Sequence, residues 1–169
     1  MVLAGKVNRQ IAGGLWPARP LLVQGLKVAL ILALFLMPIV SAVGDTTPPS
    51  VVSFEFEPKV VDVSRADQNI TFTVQLKDDL GGIDAGQELR FFSPSGKQQR
   101  NIFFYDSFLV SGDMLNGTYV NNMTFSEYSE SGKWHLYWLE MHDRAGNHLA
   151  LNETAMKNLG FPTMLEVKS

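Results

Sequence analysis

The chain has 169 residues, of which 46% are hydrophobic, and it contains no cysteine. It is long enough for one globular domain plus an extension, while the missing cysteine excludes disulfides, thiol catalysis and zinc–thiolate sites. Residues 1–44 hold four of the Lys and Arg and no acid, so ten basic residues remain against 17 acidic ones, a formal charge of −7. A nucleic-acid partner is therefore not expected, since phosphate binding needs a basic surface.

Residues 1–43 predict a secretory signal peptide. Basic residues precede an apolar run at 28–40, which is interrupted by Pro38 and followed by the small residues Ser41 and Ala42. The alternative is an uncleaved membrane anchor, because the run is nearly long enough to span a bilayer. Either way we expect an exported protein, outside the cell, on its surface or in the periplasm. The membrane would be contacted only through an uncleaved N-terminal segment.

Residues 44–50 (GDTTPPS) predict an exposed linker, and the domain is expected at 51–169. Its clearest strand is 69–77, where apolar and polar residues alternate strictly. Further strands are predicted from the same period and from the intervening turn signals. They lie at 51–57, 89–93, 100–105, 119–125, 134–142, 148–151 and 161–167, the last as a closing edge strand, with a helical turn at 152–159.

The stretch 134–142 (WHLYWLEMH) changes parity within one strand. Trp134 and Leu136 share one parity, whereas Leu139 and Met141 share the other. A continuous strand buries all four only if a bulge lies near Tyr137 and Trp138. Because such a bulge would turn one of these two aromatic side chains outward, both are candidate ligand-binding residues.

Eight or nine short strands with regular turn signals and no sustained helical period predict an all-β, Greek-key β-sandwich. The sequence DRAGN at 143–147 is typical of the hairpin turn between two of its strands. The turn's role is therefore expected to be structural.

Acidic residues in two loops are candidate ligands for a hard cation such as calcium. They are Asp78, Asp79 and Asp84 in one loop, and Asp143 with Asn147 in the other. The alternative is that these side chains accept hydrogen bonds from amides of their own turns. No cofactor is expected to be required.

Three histidines are the only residues in the sequence that suggest catalysis. His142 and His148 flank the predicted hairpin and are expected to approach each other across it. They would serve as metal ligands or general bases only with further partners, and no Gly-x-Ser-x-Gly nucleophile motif is present in the sequence. We therefore expect a non-enzymatic protein, with a small secreted hydrolase as the competing hypothesis.

Four Asn-x-Thr sequons occur, at Asn69, Asn116, Asn122 and Asn152. In a eukaryotic secretory chain they would be acceptors for N-linked glycans.

The order of several short motifs resembles the extracellular Ig-like and cadherin-like modules of bacterial secreted and cell-surface proteins. They are DTTPP at 45–49, DDLGG at 78–82, SPSG at 93–96, NGTY at 116–119, SGKW at 131–134 and HDRAGN at 142–147. The resemblance implies an Ig-like sandwich of seven to nine strands. It also implies adhesion to, or binding of, an extracellular or periplasmic protein or glycan, with a calcium-stabilised spacer as the alternative.

Overall fold

The computed structural model describes residues 44–169. The predicted signal peptide or anchor at 1–43 lies outside the described residues. None of the helices in residues 44–169 could span a membrane.

The described chain is mostly β-structure, arranged in two sheets. Sheet A has the strand order β1-β3-β7-β6, and sheet B has the order β2-β10-β8-β4-β5, with β9 paired to β8. A 3-10 turn at Asp106–Phe108 precedes β6. The elements are β1 (Ser50–Glu57), β2 (Val60–Asp62), β3 (Gln68–Lys77), β4 (Gln87–Phe92), β5 (Gln99–Phe104), β6 (Leu109–Gly112), β7 (Asn116–Phe125), β8 (Gly132–His142), β9 (His148–Asn152), α1 (Glu153–Asn158) and β10 (Met164–Lys168).

The two sheets bury one aromatic-rich core between them, which is consistent with a β-sandwich. Phe72 of sheet A packs on Phe91 of sheet B with ring centroids 5.8 Å apart, and Phe125 meets Trp134 edge to face at 5.0 Å. Burying each such side chain stabilises the fold by about 1.5–3 kcal/mol. The all-β prediction is confirmed, but residues 44–169 form ten strands rather than seven to nine, and an immunoglobulin-like topology is not confirmed.

Strand β3 follows its predicted alternation. Ile70, Phe72, Val74 and Leu76 are all fully buried, whereas the residues between them are exposed or half-buried. Every residue of β3 pairs with β7 in unbroken antiparallel register. The outer face of sheet A is therefore polar along this pair of strands.

Strand β10 is not the edge strand that the sequence predicted. It pairs antiparallel with β8 on one side and parallel with β2 on the other. Leu165 and Val167 point into the core, while β2, only three residues long, covers the free side of β10. A parallel partner comes from far along the chain, so local alternation does not reveal it.

Segment 44–49 has no regular structure but is attached to the domain. The Asp45 carboxylate accepts hydrogen bonds from the amides of Thr47 (3.0 Å) and Gly81 (2.5 Å), and Pro49 is buried. The segment predicted to be an exposed linker therefore contacts the β3–β4 loop.

Candidate functional site

The predicted bulge in β8 is present. Arg90 and Phe91, consecutive residues of β4, pair with Trp138 and Leu136, so Tyr137 is the extra residue. The parity change therefore lets Leu136 and Leu139 both enter the core, where each is no more than 1% exposed. As a result, Tyr137 and Trp138 lie next to each other on the outer face of sheet B.

These two residues belong to an outer aromatic cluster, which we define as Phe92, Tyr137 and Trp138 with the Arg90 guanidinium. The Tyr137 ring meets Phe92 edge to face at 4.9 Å and lies 4.6 Å from Trp138. Arg90 lies over the Trp138 ring at 4.3 Å and is held in place by an ion pair with Glu88 (2.6 Å). Such aromatic and cation–π contacts fix the ring positions before any ligand arrives.

The two candidate ligand-binding residues are not equally accessible. Tyr137 is 49% exposed, whereas Trp138 is only partly exposed beneath Arg90. The Trp138 Nε1 atom is buried and has no hydrogen-bond partner among the described residues. Packing therefore holds Trp138 in position, and Tyr137 is the ring that faces solvent.

An open groove of about 270 Å³ borders this cluster. One side is aromatic, formed by Phe92 and Tyr137. The remaining lining contributes hydrogen-bonding groups from β8, β9 and the start of α1, namely His135, Asn152, Glu153 and Thr154, together with Leu136. The groove thus places one exposed aromatic ring beside several polar side chains.

Glu153 organises the polar side of the groove. Its carboxylate lies 3.1 Å from His135 Nδ1 and 2.7 Å from Lys157 Nζ, and it accepts a hydrogen bond from Thr163 Oγ1 (3.3 Å). Burial raises the pKa of this carboxyl, but the hydrogen bonds from Lys157 and His135 outweigh burial and hold the pKa below its usual value. Glu153 is therefore a fixed negative charge at neutral pH.

The acidic loop residues separate into two environments. Asp78 and Asp79 come together with Asp45, since one carboxylate oxygen from each lies within 4.8 Å of the others. Asp78 is only 5% exposed, and its Oδ1 accepts from the amides of Leu80 (3.1 Å) and Gly82 (2.7 Å). Its Oδ2 is buried without a hydrogen-bond partner in the described part of the chain.

The other predicted cation ligands satisfy their own turns. Asp84 accepts from the amide of Ala85 (2.8 Å), and Asp143 accepts from the amide (2.8 Å) and side chain (2.6 Å) of Asn147. Burial raises the pKa of the Asp143 carboxyl, but the Asn147 and turn-amide hydrogen bonds outweigh burial and lower it. In the described residues, neither Asp84 nor Asp143 belongs to a cluster of three ligating side chains.

The hairpin of β8 and β9 brings His142 and His148 together, as predicted. They are cross-strand partners with stacked rings 4.8 Å apart. Their acidic neighbour is Glu140, whose Oε1 lies 3.0 Å from His148 Nε2 and 3.6 Å from His142 Nε2. The Asp143 carboxylate accepts hydrogen bonds from Asn147 instead, so Glu140 is the acid that lies beside both histidine rings.

Sequence reasoning missed several residues of these sites, among them Glu140, Asp45, Phe92 and Glu153. The position of Glu140 could have been predicted, because residues two apart on a strand share a face and Glu140 therefore lies beside His142. Asp45 was assigned to the linker, and its position beside Asp78 depends on a contact across 36 residues of sequence. Phe92 lies beside Tyr137 only because β4 pairs with β8.

Comparison with known proteins gives a family and no activity. Residues 44–166 match the model of a family described as "Domain of unknown function (DUF7035)". No curated protein matches the chain. Among solved structures, the chain is similar to Cwp6 from Clostridium difficile, with a TM-score of 0.46 and 12% identity over 73% of this chain. The match spans only 17% of that protein.

Proposed function

Since the chain belongs to the DUF7035 family, whose description names no activity, we propose from the geometry that it is a non-enzymatic binding module of an exported protein. Its ligand would be an extracellular or periplasmic protein or glycan, which would contact the outer aromatic cluster and the adjoining groove. No cofactor is required for this function.

The observation that carries the proposal is the exposed Tyr137 ring on the outward side of the β8 bulge. A bulge disrupts the ladder locally, and bulges are concentrated where a side chain has to be re-aimed. Here the extra residue is an aromatic one that is held by Phe92 and Trp138 but left 49% exposed. Rigid exposed aromatic side chains are the residues that most often dominate binding energy.

The groove beside Tyr137 favours a saccharide among the ligand classes considered. The C–H face of a sugar ring can stack on an aromatic ring, while its hydroxyls hydrogen-bond to groups such as Asn152, Glu153 and Thr154. Because Glu153 is ionised at neutral pH, it would act as a hydrogen-bond acceptor there.

Binding is tested with the full-length protein on a glycan array and by affinity capture of extracellular proteins. Tyr137→Ala is expected to weaken retained binding at least about tenfold, the loss expected for an aromatic residue that contributes about 1.4 kcal/mol or more. The matched control is Tyr128→Ala, because Tyr128 is 79% exposed in the β7–β8 turn, outside the outer aromatic cluster. If both variants bind as the parent does, the aromatic cluster is not the binding surface.

A second candidate function, a calcium-stabilised structural module, is favoured by the Asp45, Asp78 and Asp79 cluster. The buried Asp78 Oδ2 lacks a partner in the described residues, and a buried carboxylate oxygen is costly to leave unsatisfied. Two further carboxylate oxygens lie within 4.8 Å of Asp78. Calcium prefers such oxygen ligands and would also neutralise their mutual repulsion.

This alternative predicts that calcium raises the melting temperature of the protein. Saturation at about 100 times the Kd would add about 2.7 kcal/mol to the free energy of unfolding. Asp79→Asn should remove the response, since Asp79 is exposed and its replacement leaves the core intact. Asp84→Asn is the control, because Asp84 is an exposed acid outside the cluster. An unchanged melting temperature in calcium would eliminate the site.

A further inference from the structure

Three of the four sequons lie on the outer face of sheet A. Residues two apart on a strand share a face, so the Asn and Thr of an Asn-x-Thr sequon point the same way. Asn69 lies in β3, whereas Asn116 and Asn122 lie in β7, and all three are exposed. The folded strands therefore present these acceptor residues directly to solvent.

Two of these sequons face each other across the β3–β7 pair. In the antiparallel register Asn69 is opposite Thr124, and Asn122 is opposite Thr71. Each threonine belongs to the partner's sequon and donates its hydroxyl to the opposite asparagine, at 2.7 Å for Asn69 Oδ1 and 2.8 Å for Asn122 Oδ1. Asn116 Oδ1 accepts a hydrogen bond in the same way, from Gln75 Nε2 at 2.9 Å.

The three asparagines use only one end of their amide group. Their Oδ1 atoms accept hydrogen bonds, while none of their Nδ2 atoms donates to another residue in the described range. Three asparagines outside sequons differ in that their Nδ2 atoms donate hydrogen bonds. The Nδ2 atoms of Asn101, Asn121 and Asn147 donate to Glu88, Phe103 and Asp143, respectively.

We propose that the outer face of sheet A is a glycan-bearing face, with N-linked glycans on Asn69, Asn116 and Asn122. In the reaction, Nδ2 forms a bond to the anomeric carbon of an oligosaccharide carried on a lipid pyrophosphate. The sugar–phosphate bond breaks, the lipid pyrophosphate leaves with the bonding electron pair, and Nδ2 loses one proton. In a eukaryotic secretory pathway, the export that residues 1–43 predict brings the chain to such a donor.

The folded domain accommodates these modifications without breaking contacts. A glycan on Nδ2 leaves Oδ1 free to keep its hydrogen bond from Thr124, Thr71 or Gln75. The fourth sequon asparagine, Asn152, caps α1 on the opposite sheet and lines the groove beside Tyr137. A glycan there would compete with the ligand proposed for the groove, so the proposal is confined to sheet A.

The first test expresses the full chain in a eukaryotic secretory host. Peptide N-glycosidase digestion and peptide mass mapping are expected to find glycans at all three positions. Each single Asn→Gln variant should lose one step of electrophoretic mobility shift. A chain that carries no glycan on Asn69, Asn116 and Asn122, whether it is exported or retained, overturns the proposal.

The second test determines whether the fold tolerates a glycan better on an asparagine whose Nδ2 atom donates no hydrogen bond. Phe103→Thr creates a new sequon at Asn101, whose Nδ2 donates to Glu88 Oε1 (2.8 Å). A glycan on Asn101 replaces one of the two Nδ2 hydrogens and crowds the nitrogen that donates to Glu88, so its presence should weaken that bond and lower the melting temperature relative to the same variant made without glycans. Glycans at the three natural positions should leave the melting temperature unchanged or higher. If they lower it as much as the glycan at Asn101 does, the geometric argument is wrong.

Discussion

Deletion of Tyr137 should leave the fold intact. The bulge exists because Trp134 and Leu136 have one parity and Leu139 has the other. Removing one residue between them restores strict alternation, with Trp138 outside and Leu139 still in the core. Arg90 and Phe91 of β4 would then face an uninterrupted β8, because they already pair with Trp138 and Leu136.

The cost of this deletion can be estimated from the lost contacts. Tyr137 makes ring contacts with Phe92 at 4.9 Å and Trp138 at 4.6 Å, and each such pair contributes about 0.5–1.5 kcal/mol. The deletion therefore costs about 1–3 kcal/mol, less than the 5–15 kcal/mol by which a typical domain of this kind is stable. Pairing of the former bulge offsets part of that loss.

The matched control is a deletion in a strand without a bulge. Thr73 lies in the middle of β3, which pairs with β7 without any shift. Deleting it would turn the fully buried Val74 and Leu76 outward and Lys77 inward. Exposing the two aliphatic side chains costs about 3–6 kcal/mol, and burying a lysine adds more. This variant is expected not to fold.

Both deletions are assayed by near-ultraviolet circular dichroism and by urea unfolding followed through tryptophan fluorescence. The Tyr137 deletion should keep a cooperative transition and a native near-ultraviolet spectrum, whereas the Thr73 deletion should lose both. A Tyr137 deletion that unfolds, or a Thr73 deletion of equal stability, would refute the explanation of the bulge by parity.

Two further stability predictions follow from single hydrogen-bonded side chains. Trp134→Phe keeps an aromatic ring in the core but leaves the Glu130 carbonyl without its 2.8 Å donor, which should cost about 1–3 kcal/mol in urea unfolding. Glu153 has a lowered pKa through Lys157 and His135, so its contribution to stability is complete above the unfolded-state pKa and is lost as pH falls through the folded-state pKa. Glu153→Gln should therefore lose less stability than the parent as the pH falls below 4.5, the ordinary pKa of a glutamate, as measured by thermal unfolding. Equal losses would contradict the assigned contacts.

The local patterns in the sequence predicted the strands well because a strand buried on one face has an apolar residue at every second position. The alternation in β3 and the parity change at Tyr137 are two such patterns, and both match the structure. The central position of β10 in sheet B could not be predicted from such a pattern. Its pairing with β2 joins segments separated by about a hundred residues, and both edge and central strands can bury alternate residues.

The candidate sites were predictable only in part, because their residues come from segments that are far apart in the sequence. Parity alone predicted the bulge and the two candidates Tyr137 and Trp138. The groove beside them needs side chains from β4, β9 and α1 to meet. The proposed calcium cluster likewise depends on Asp45 folding back onto the β3–β4 loop. Turn-forming Asp residues such as Asp84 and Asp143 have the same local sequence signature as cation ligands, and only their hydrogen-bond partners distinguish the two.

The proposed ligand binding and the proposed glycans lie on opposite outer faces of the domain, on sheet B and sheet A respectively. The sheets pack through their inner faces, so glycans on Asn69 and Asn122 would point away from sheet B and from Tyr137. Enzymatic removal of glycans from sheet A should therefore leave binding at the outer aromatic cluster unchanged. Binding would be compared by surface plasmon resonance before and after digestion, with a sample whose peptide map shows no glycan at Asn152. A loss of affinity would mean that the ligand also contacts sheet A, which would contradict the separation of the two faces.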